Sequence, residues 1–364
     1  MEARKLSALV AMSLFASSLA MVGIGAAQAD SADEFFAGKR INVVIGYSGG
    51  AGYDQYARVL ARYMGEHIPG KPTLIPQNMP GAGSRKAANW LYNVAPKDGT
   101  TLATLGQNTA TDQALKADGV QFDVRQFNWI GNMVVVNNVL STWAASGIKT
   151  IEDATKTPSS IGGTGAASPS VIYPQVANNL LGTKFKIIAG YPGGGDVNLA
   201  MERGEVDGRG SNSWASYKST KGDWLRDNKV NILFQVGPKR EDDLPDVPLL
   251  TDLAKTPEQK KVFEVLSADV SVGRPILTTP GVPQDRVAAL RKAFDDTFKD
   301  KAFLAEAEKQ KMDISPMSGA ELQKIVAATV EMPDSIIAMV KAAIQIRDME
   351  ALAPEKGGVN PNAE

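Results

Sequence analysis

Ile41-Asn-Val-Val-Ile-Gly-Tyr47, Ser48-Gly49-Gly50-Ala51-Gly52-Tyr53, Asp54-Gln-Tyr-Ala-Arg-Val-Leu-Ala-Arg-Tyr-Met64 is the stretch that decides how this chain folds. Its first part is a short, apolar, β-branched run, as expected of a buried strand. Its last part places Ala57, Leu60, Ala61 and Met64 at the i, i+3, i+4, i+7 spacing of a helix with one buried face. Strand, glycine loop and helix follow one another. A helix start leaves backbone N–H groups unpaired and carries partial positive charge, so glycines there let an anion approach the main chain. Asp54 is placed to close the first turn as a cap.

The device recurs along the chain. Residues 72–78 read as a second strand and Met79-Pro-Gly-Ala-Gly-Ser84 as a second glycine loop, with Ser84 expected to cap the next helix. A strand from Thr101 ends in polar, uncharged Gln107-Asn108, and ligands of open α/β sheets bind outside such strand ends. Residues 129–140 read as a crossing into a second lobe. There Thr150-Ile-Glu-Asp153 resembles a capping box, and Gly162-Gly-Thr-Gly165-Ala166-Ala167-Ser168 precedes a helix opened by Pro169. Pro174 is expected to kink that helix or delay its start. Then come the strand 184–189, the loop Tyr191-Pro-Gly-Gly194-Gly195-Asp196, a short helix ended by Gly204, and the polar strand end Arg209-Gly-Ser211-Asn212. Arg209 is the cation here that could fork onto a carboxylate. Residues 270–279 read as the return crossing, and the chain is helical from Pro283 onward.

Composition narrows the chemistry. The 364 residues are too many for one ordinary core and imply two lobes. Lys plus Arg number 39 against 40 Asp plus Glu, so no net field recruits nucleic acid, and an anion must be held by local geometry. With no cysteine and the single histidine His67, thiol nucleophiles, disulfides and thiolate or multi-histidine metal sites are excluded. No metal or other cofactor is expected: the dinucleotide pattern near Gly163 lacks its acidic partner, and no P-loop is present. Residues 1–29 read as an export signal. Arg4 and Lys5 precede an apolar run, and Ala27-Gln28-Ala29 is the small-x-small cleavage site, which predicts a mature protein starting at Asp30 and free in the periplasm.

The order of these motifs resembles the substrate-binding receptors of tripartite tricarboxylate transporters, the Bug family. The family's opening strand and Gly-Gly-x-x-Asp pattern is similar to Tyr47 to Asp54, and its Asn-x-Pro-Gly-Ala-Gly to Asn78 through Gly83. Further matches are Pro96-Lys-Asp-Gly99, Gly163 to Ser168, Tyr191 to Gly195, Gly204-Glu-Val-Asp207, Leu244-Pro-Asp-Val-Pro248 and Pro280-Gly-Val-Pro283. Each is weak alone, but eight in order, over nearly the whole mature chain, are specific. The resemblance implies an α/β, type II periplasmic-binding-protein fold, with one lobe from residues 30–136 plus 270–364 and the other from 137–269. It also implies a monomer that captures a small organic carboxylate and passes it to a membrane permease, with main-chain contacts at Ser48 to Ala51 and Gly165 to Ser168.

The candidate ligand contacts are accordingly Tyr47, Ser48, Gly49, Gly50, Ala51, Asp54, Gln107 and Asn108 from one lobe. The other lobe offers Gly165, Ala166, Ala167, Ser168, Tyr191, Gly194, Gly195, Asp196, Arg209, Ser211 and Asn212. Three departures from the family fall close to the expected cleft or hinge: Tyr47 for a proline, Arg274-Pro275 for an aromatic-glycine pair, and Pro174 inside a helix. A secreted hydrolase is the competing class, with Ser48, Ser168 and Ser211 as available hydroxyls. It lacks a Gly-x-Ser-x-Gly elbow, and His67 lies beyond the first helix, so no catalytic residue is expected. Whether the liganded form serves a permease or a membrane signalling protein is left open by the sequence.

Overall fold

The computed structural model describes residues 32–345, so the export signal ending at Ala29 and the tail from Pro354 lie outside the described residues. The opening stretch folds as β1 (Arg40–Ile45), a loop, and a helix at Gly52–His67 whose buried residues include Ala57, Leu60, Ala61 and Met64. The strands that follow are β2 (Thr73–Asn78), β3 (Thr101–Thr104), β4 (Asn128–Asn132), β5 (Asn138–Trp143), β6 (Ser159–Gly162), β7 (Phe185–Ile188), β8 (Gly208–Ser213), β9 (Val230–Val236), β10 (Pro275–Thr278) and the two-residue β11 (Met317–Ser318).

They form two sheets. The first has the order β11-β4-β10-β3-β1-β2 and the second β7-β6-β8-β5-β9. β1 runs parallel to β2 and β3, and β6 parallel to β7 and β8, as strands linked through helices must. The exceptions are instructive. β5 and β10, each the first strand after the chain crosses from one sheet to the other, enter antiparallel to their neighbours. Their N-terminal ends therefore lie level with the C-terminal ends of β1, β3, β6 and β8, and both crossings open onto that edge.

Each sheet is covered on both faces, as the apolar runs of β1 and β9 lead one to expect, while β8, Gly-Arg-Gly-Ser-Asn-Ser, is buried but polar. One face of the first sheet packs Val43, Ile45, Leu60, Met64, Leu290 and Phe294. The other packs Val44, Leu91, Trp129 and Leu322. The second sheet is sandwiched likewise, with Ile161, Val171, Phe234 and Phe263 on one side and Met201, Tyr217 and Trp224 on the other.

Several local expectations are modified. Asp54 does not cap its own helix, whose N-cap is Ala51. Its carboxylate instead accepts from Gly50 N (3.2 Å), Asn78 Nδ2 (2.9 Å) and Arg58 Nε (2.8 Å), bracing the glycine loop against β2. Ser84 sits at φ +83° with no cap bond, and its Oγ accepts from Gly106 N at 3.0 Å. Pro174 does not delay the helix's start, which is at Pro169. The Pro169–Val176 helix runs through it into a π-type turn, Ala177–Leu181, and the bare Gly210 of β8 nestles against the Ser170 carbonyl that the proline leaves without a donor. The last helix, Asp334–Ile344, departs from the expected division. Its stripe joins the second sheet's cluster through Val340 and Ala343, beside the Pro257–Ala268 helix, and Asn179 Nδ2 bonds Ala343 O at 2.8 Å. An apolar stripe fixes which face is buried, not which lobe covers it.

Thr150 and Asp153 do form a reciprocal capping box. Thr150→Ala is expected to lower unfolding stability by about 1 kcal/mol while leaving the inter-lobe cavity untouched, measurable by urea denaturation beside a ligand titration.

Candidate functional site

The strand ends of the two sheets face one another across a cavity. One wall is the loop after β1 with the start of its helix: Tyr47, Ser48, Ala51, Gly52, Tyr53 and Asp54, joined by Gln107 after β3. The facing wall is Thr164, Ser168, Pro169 and Ser170 after β6, Gly194, and Arg209, Ser211, Asn212, Ser213 and Ser216 along and after β8. The crossings close the back with Val134, Val136, Asn138, Gly273 and Arg274.

The helices that begin here lack side-chain caps. The helices starting at Gly52, Pro169, Gly194 and Trp214 have no side-chain cap bond at their N-cap residues, a feature they share with the Gln284 and Asp334 helices away from the cavity. Free N–H groups and the positive ends of helix dipoles are thus kept at the cavity.

Side chains reinforce that polarity. Arg209 is buried, and burial holds its guanidinium below the usual range, at about 10, so it stays charged at neutral pH. Its Nε donates to Ser211 O (2.9 Å) and its Nη1 to Gly194 O (3.2 Å) and Asn198 Oδ1 (2.9 Å), all three neutral acceptors. Among the described residues no carboxylate pairs with Arg209 or with Arg274. Three further donors on the walls, Gln107 Nε2, Asn212 Nδ2 and Arg274 Nε, are buried with no acceptor in good hydrogen-bond geometry among the described residues. The one carboxylate on the wall, Asp54, is already engaged by Arg58, Asn78 and Gly50. A cavity of this kind holds acceptors and negative charge.

The sequence-predicted residues divide into two groups. Tyr47, Ser48, Ala51, Asp54, Gln107, Ser168, Gly194, Arg209, Ser211 and Asn212 line the cavity. Gly49, Gly50, Asn108, Gly165, Ala166, Ala167, Tyr191, Gly195 and Asp196 do not, and several of them form the seam where the lobes touch. Ser48 Oγ donates to Asp196 Oδ2 at 2.5 Å, Ser48 N to Pro192 O at 3.3 Å, and Asn108 Nδ2 to Ala167 O at 2.9 Å. Gly165 abuts the main chain of Ala82 and Gly83, and Gly195 that of Gly49 and Gly50. These glycines admit the opposite lobe. The reading missed Tyr53, Val134, Val136, Asn138, Thr164, Ser170, Ser213, Ser216 and Arg274. Tyr53 and Ser213 adjoin predicted positions, but the crossing residues carry no local pattern of their own.

Two hydroxyls proposed as nucleophiles are occupied. Ser168 Oγ lies 2.7 Å from Ser170 Oγ and accepts from Gly165 N, while Ser48 is bonded to Asp196. His67 pairs with Asp300 at 2.9 Å on the far side of the first helix, so neither serine has it as a base.

Beside the crossings, burial pushes Asp269 up to about 8 and Asp112 up to about 6, the latter opposed by Arg85. Both stand above the unfolded value near 4, so the folded chain holds protons that the unfolded chain gives up. The associated stability is complete below the unfolded value and is lost as pH rises through about 6 and then about 8. The urea midpoint is therefore expected to fall between mildly acidic and mildly alkaline buffer, and Asp269→Asn to flatten the alkaline part of that fall.

Two α/β lobes, joined by the crossings into β5 and β10 and a third time by the chain running to the Asp334–Ile344 helix, and closed over a cavity of hydrogen-bond donors, define a two-lobed solute-binding protein of the type II periplasmic kind. Residues 56–341 match the model of the tripartite tricarboxylate transporter family receptor, and the chain belongs to that family. It is also 26% identical over 339 residues to the UPF0065 protein in the gbd 5′ region of Cupriavidus necator, covering 90% of this chain and 95% of that one. Among solved structures it is similar to the periplasmic binding protein BugD (TM-score 0.68, 19% identity, 84% of this chain and 97% of that one). A second similar structure is MatC from Rhodopseudomonas palustris with bound malate (TM-score 0.64, 18% identity, 84% and 99%). A third, from R. palustris, holds adipate (TM-score 0.65, 17% identity, 83% and 97%).

Proposed function

We propose that this receptor captures a small organic carboxylate between its lobes and delivers it to a tripartite tricarboxylate-type permease, after an export signal is removed behind Ala29. The observation that carries the ligand class is the buried Arg209 guanidinium, which no carboxylate neutralises among the described residues, together with the buried donors Gln107 Nε2, Asn212 Nδ2 and Arg274 Nε on the cavity walls. A carboxylate supplies both acceptors and counter-charge, and it satisfies donors from the two lobes together only when they are closed, so its binding favours the closed arrangement. The malate and adipate held by two similar folds support the same class. Family membership supports delivery to a permease.

Titration calorimetry against mono-, di- and tricarboxylates and aromatic acids tests this reading. At least one acid is expected to bind, with a matching rise in the thermal midpoint that grows with ligand concentration. Silence across the panel would overturn it.

A further inference from the structure

Arg274 stands where the family resemblance places an uncharged pair, and the fold commits it to the cavity. It leads into β10 from the return crossing, and its main chain is tied to the outgoing crossing: Arg274 N donates to Asn132 Oδ1 at 2.7 Å, and Met133 N to Arg274 O at 3.1 Å. The side chain is 3% exposed. Its guanidinium carbon lies 4.8 Å from the Tyr53 ring centre and 4.6 Å from that of Tyr56.

Those rings are fixed in turn. The Tyr53 hydroxyl donates to Gly273 O at 3.1 Å and accepts from Gln107 N, and the Tyr56 hydroxyl donates to Asp313 O at 2.9 Å. Arg274 Nη2 then reaches across to Ser216 Oγ on the other lobe at 2.5 Å. A rigidly seated cation results, with Nε buried and no acceptor for it in good hydrogen-bond geometry among the described residues.

No carboxylate pairs with Arg274 among the described residues. Asp269, close enough to act on Tyr53 as Arg274 does, stays protonated at neutral pH because burial holds it up to about 8. Two aromatic faces soften the charge without cancelling it. With Arg209, the cavity therefore contains two buried cations and no free anion, and a ligand bearing one negative charge leaves one of them uncompensated.

Resting on the carboxylate reading above, we infer that Arg274 is a specificity-determining residue: it takes the second anionic group of a dianionic ligand while Arg209 takes the first. The bond to Ser216 makes this second anchorage complete only when the lobes are closed. Removing the second charge from the ligand, or the cation from the protein, therefore removes the same interaction.

The test titrates succinate, glutarate and adipate, each beside its monoamide, into the wild-type protein, Arg274→Gln and Arg274→Lys. The wild type is expected to bind at least one diacid about 100-fold or more tighter than its monoamide, from a charge-assisted, desolvated contact. Arg274→Gln should bring the two within a few-fold of each other by weakening the diacid alone, and Arg274→Lys should retain part of the preference. A wild type without diacid preference, or a preference unchanged in Arg274→Gln, would overturn the inference while leaving the carboxylate reading in place. Binding of no acid at all would remove both. Should Arg274→Gln lose its cooperative thermal transition, the wild-type ratio and the lysine variant decide between these outcomes.

Discussion

Arg209→Met is expected to weaken carboxylate binding by roughly 100- to 1,000-fold, the loss that follows when one member of a buried, hydrogen-bonded charge pair is removed. The same change should leave the unfolding midpoint of the ligand-free protein within a few degrees. Two opposing effects set that result. Burying a guanidinium with no counter-charge costs several kcal/mol, which methionine of similar reach relieves. Against it, Ser211 O, Gly194 O and Asn198 Oδ1 each lose a donor, at about 1 kcal/mol apiece. Calorimetry and thermal unfolding on one sample measure both quantities. A residue that merely held β8 to the Gly194–Glu202 helix would lose stability and affinity together. Separation of the two, with affinity falling far more than stability, is the signature of a ligand anchor. Unchanged affinity would remove Arg209 from the site.

Much of the scaffold was legible because it is governed by local rules. β1 and the Gly52–His67 helix follow from a β-branched run succeeded by a 3.6-residue stripe, and the Thr150 box from two side chains three residues apart. Legibility ends where a residue's meaning depends on what approaches it from elsewhere. The stripe on Asp334–Ile344 is plain in the sequence, yet its place against the second lobe depends on the groove beside the Pro257–Ala268 helix. Ser84 has the residue type of an N-cap, but Gly106 N lies within its reach and takes the hydroxyl instead. Asp54 likewise serves the Gly50 amide in place of its own helix.

The site was legible in the same partial way. Strand ends, glycine loops at helix starts and the family resemblance together mark nineteen positions, and ten of them line the cavity. Arg274 escapes the strand-end rule because β10 runs antiparallel, so its N-terminal end faces the cleft; the family resemblance brings Arg274 near the cleft or hinge, and the pairing of β10 between β3 and β4 shows how it reaches the cavity. The glycine loops were read as anion cradles. A missing Cβ permits close approach by a ligand or by another main chain alike, and the sequence does not distinguish the two guests.

That distinction yields the second large effect, which concerns Gly165→Val. A Cβ there would stand 2.6 Å from the Ala82 carbonyl carbon and 2.9 Å from Gly83 Cα, main-chain atoms of the opposite lobe that cannot turn aside as a side chain would. The lobes are therefore forced apart, and Ser48–Asp196, Ser48–Pro192 and Asn108–Ala167 must lengthen with them. Because the collision lies between lobes and not within one, each lobe should fold as before, and the ligand-free unfolding midpoint should move little. Binding pays instead: if the competent closed state becomes a minor population, apparent affinity falls by that fraction, and an expected loss of about 100-fold corresponds to a closure penalty near 3 kcal/mol. Small-angle scattering with saturating ligand should then show a radius of gyration above that of the liganded wild type. Gly182→Val, placed where a Cβ meets no atom within 4 Å but φ is +80°, supplies the opposite control, lowering stability through backbone strain without altering closure. Wild-type affinity in Gly165→Val would show that the seam between Gly165 and Gly83 opens at no cost to capture, and the glycines would need a different explanation.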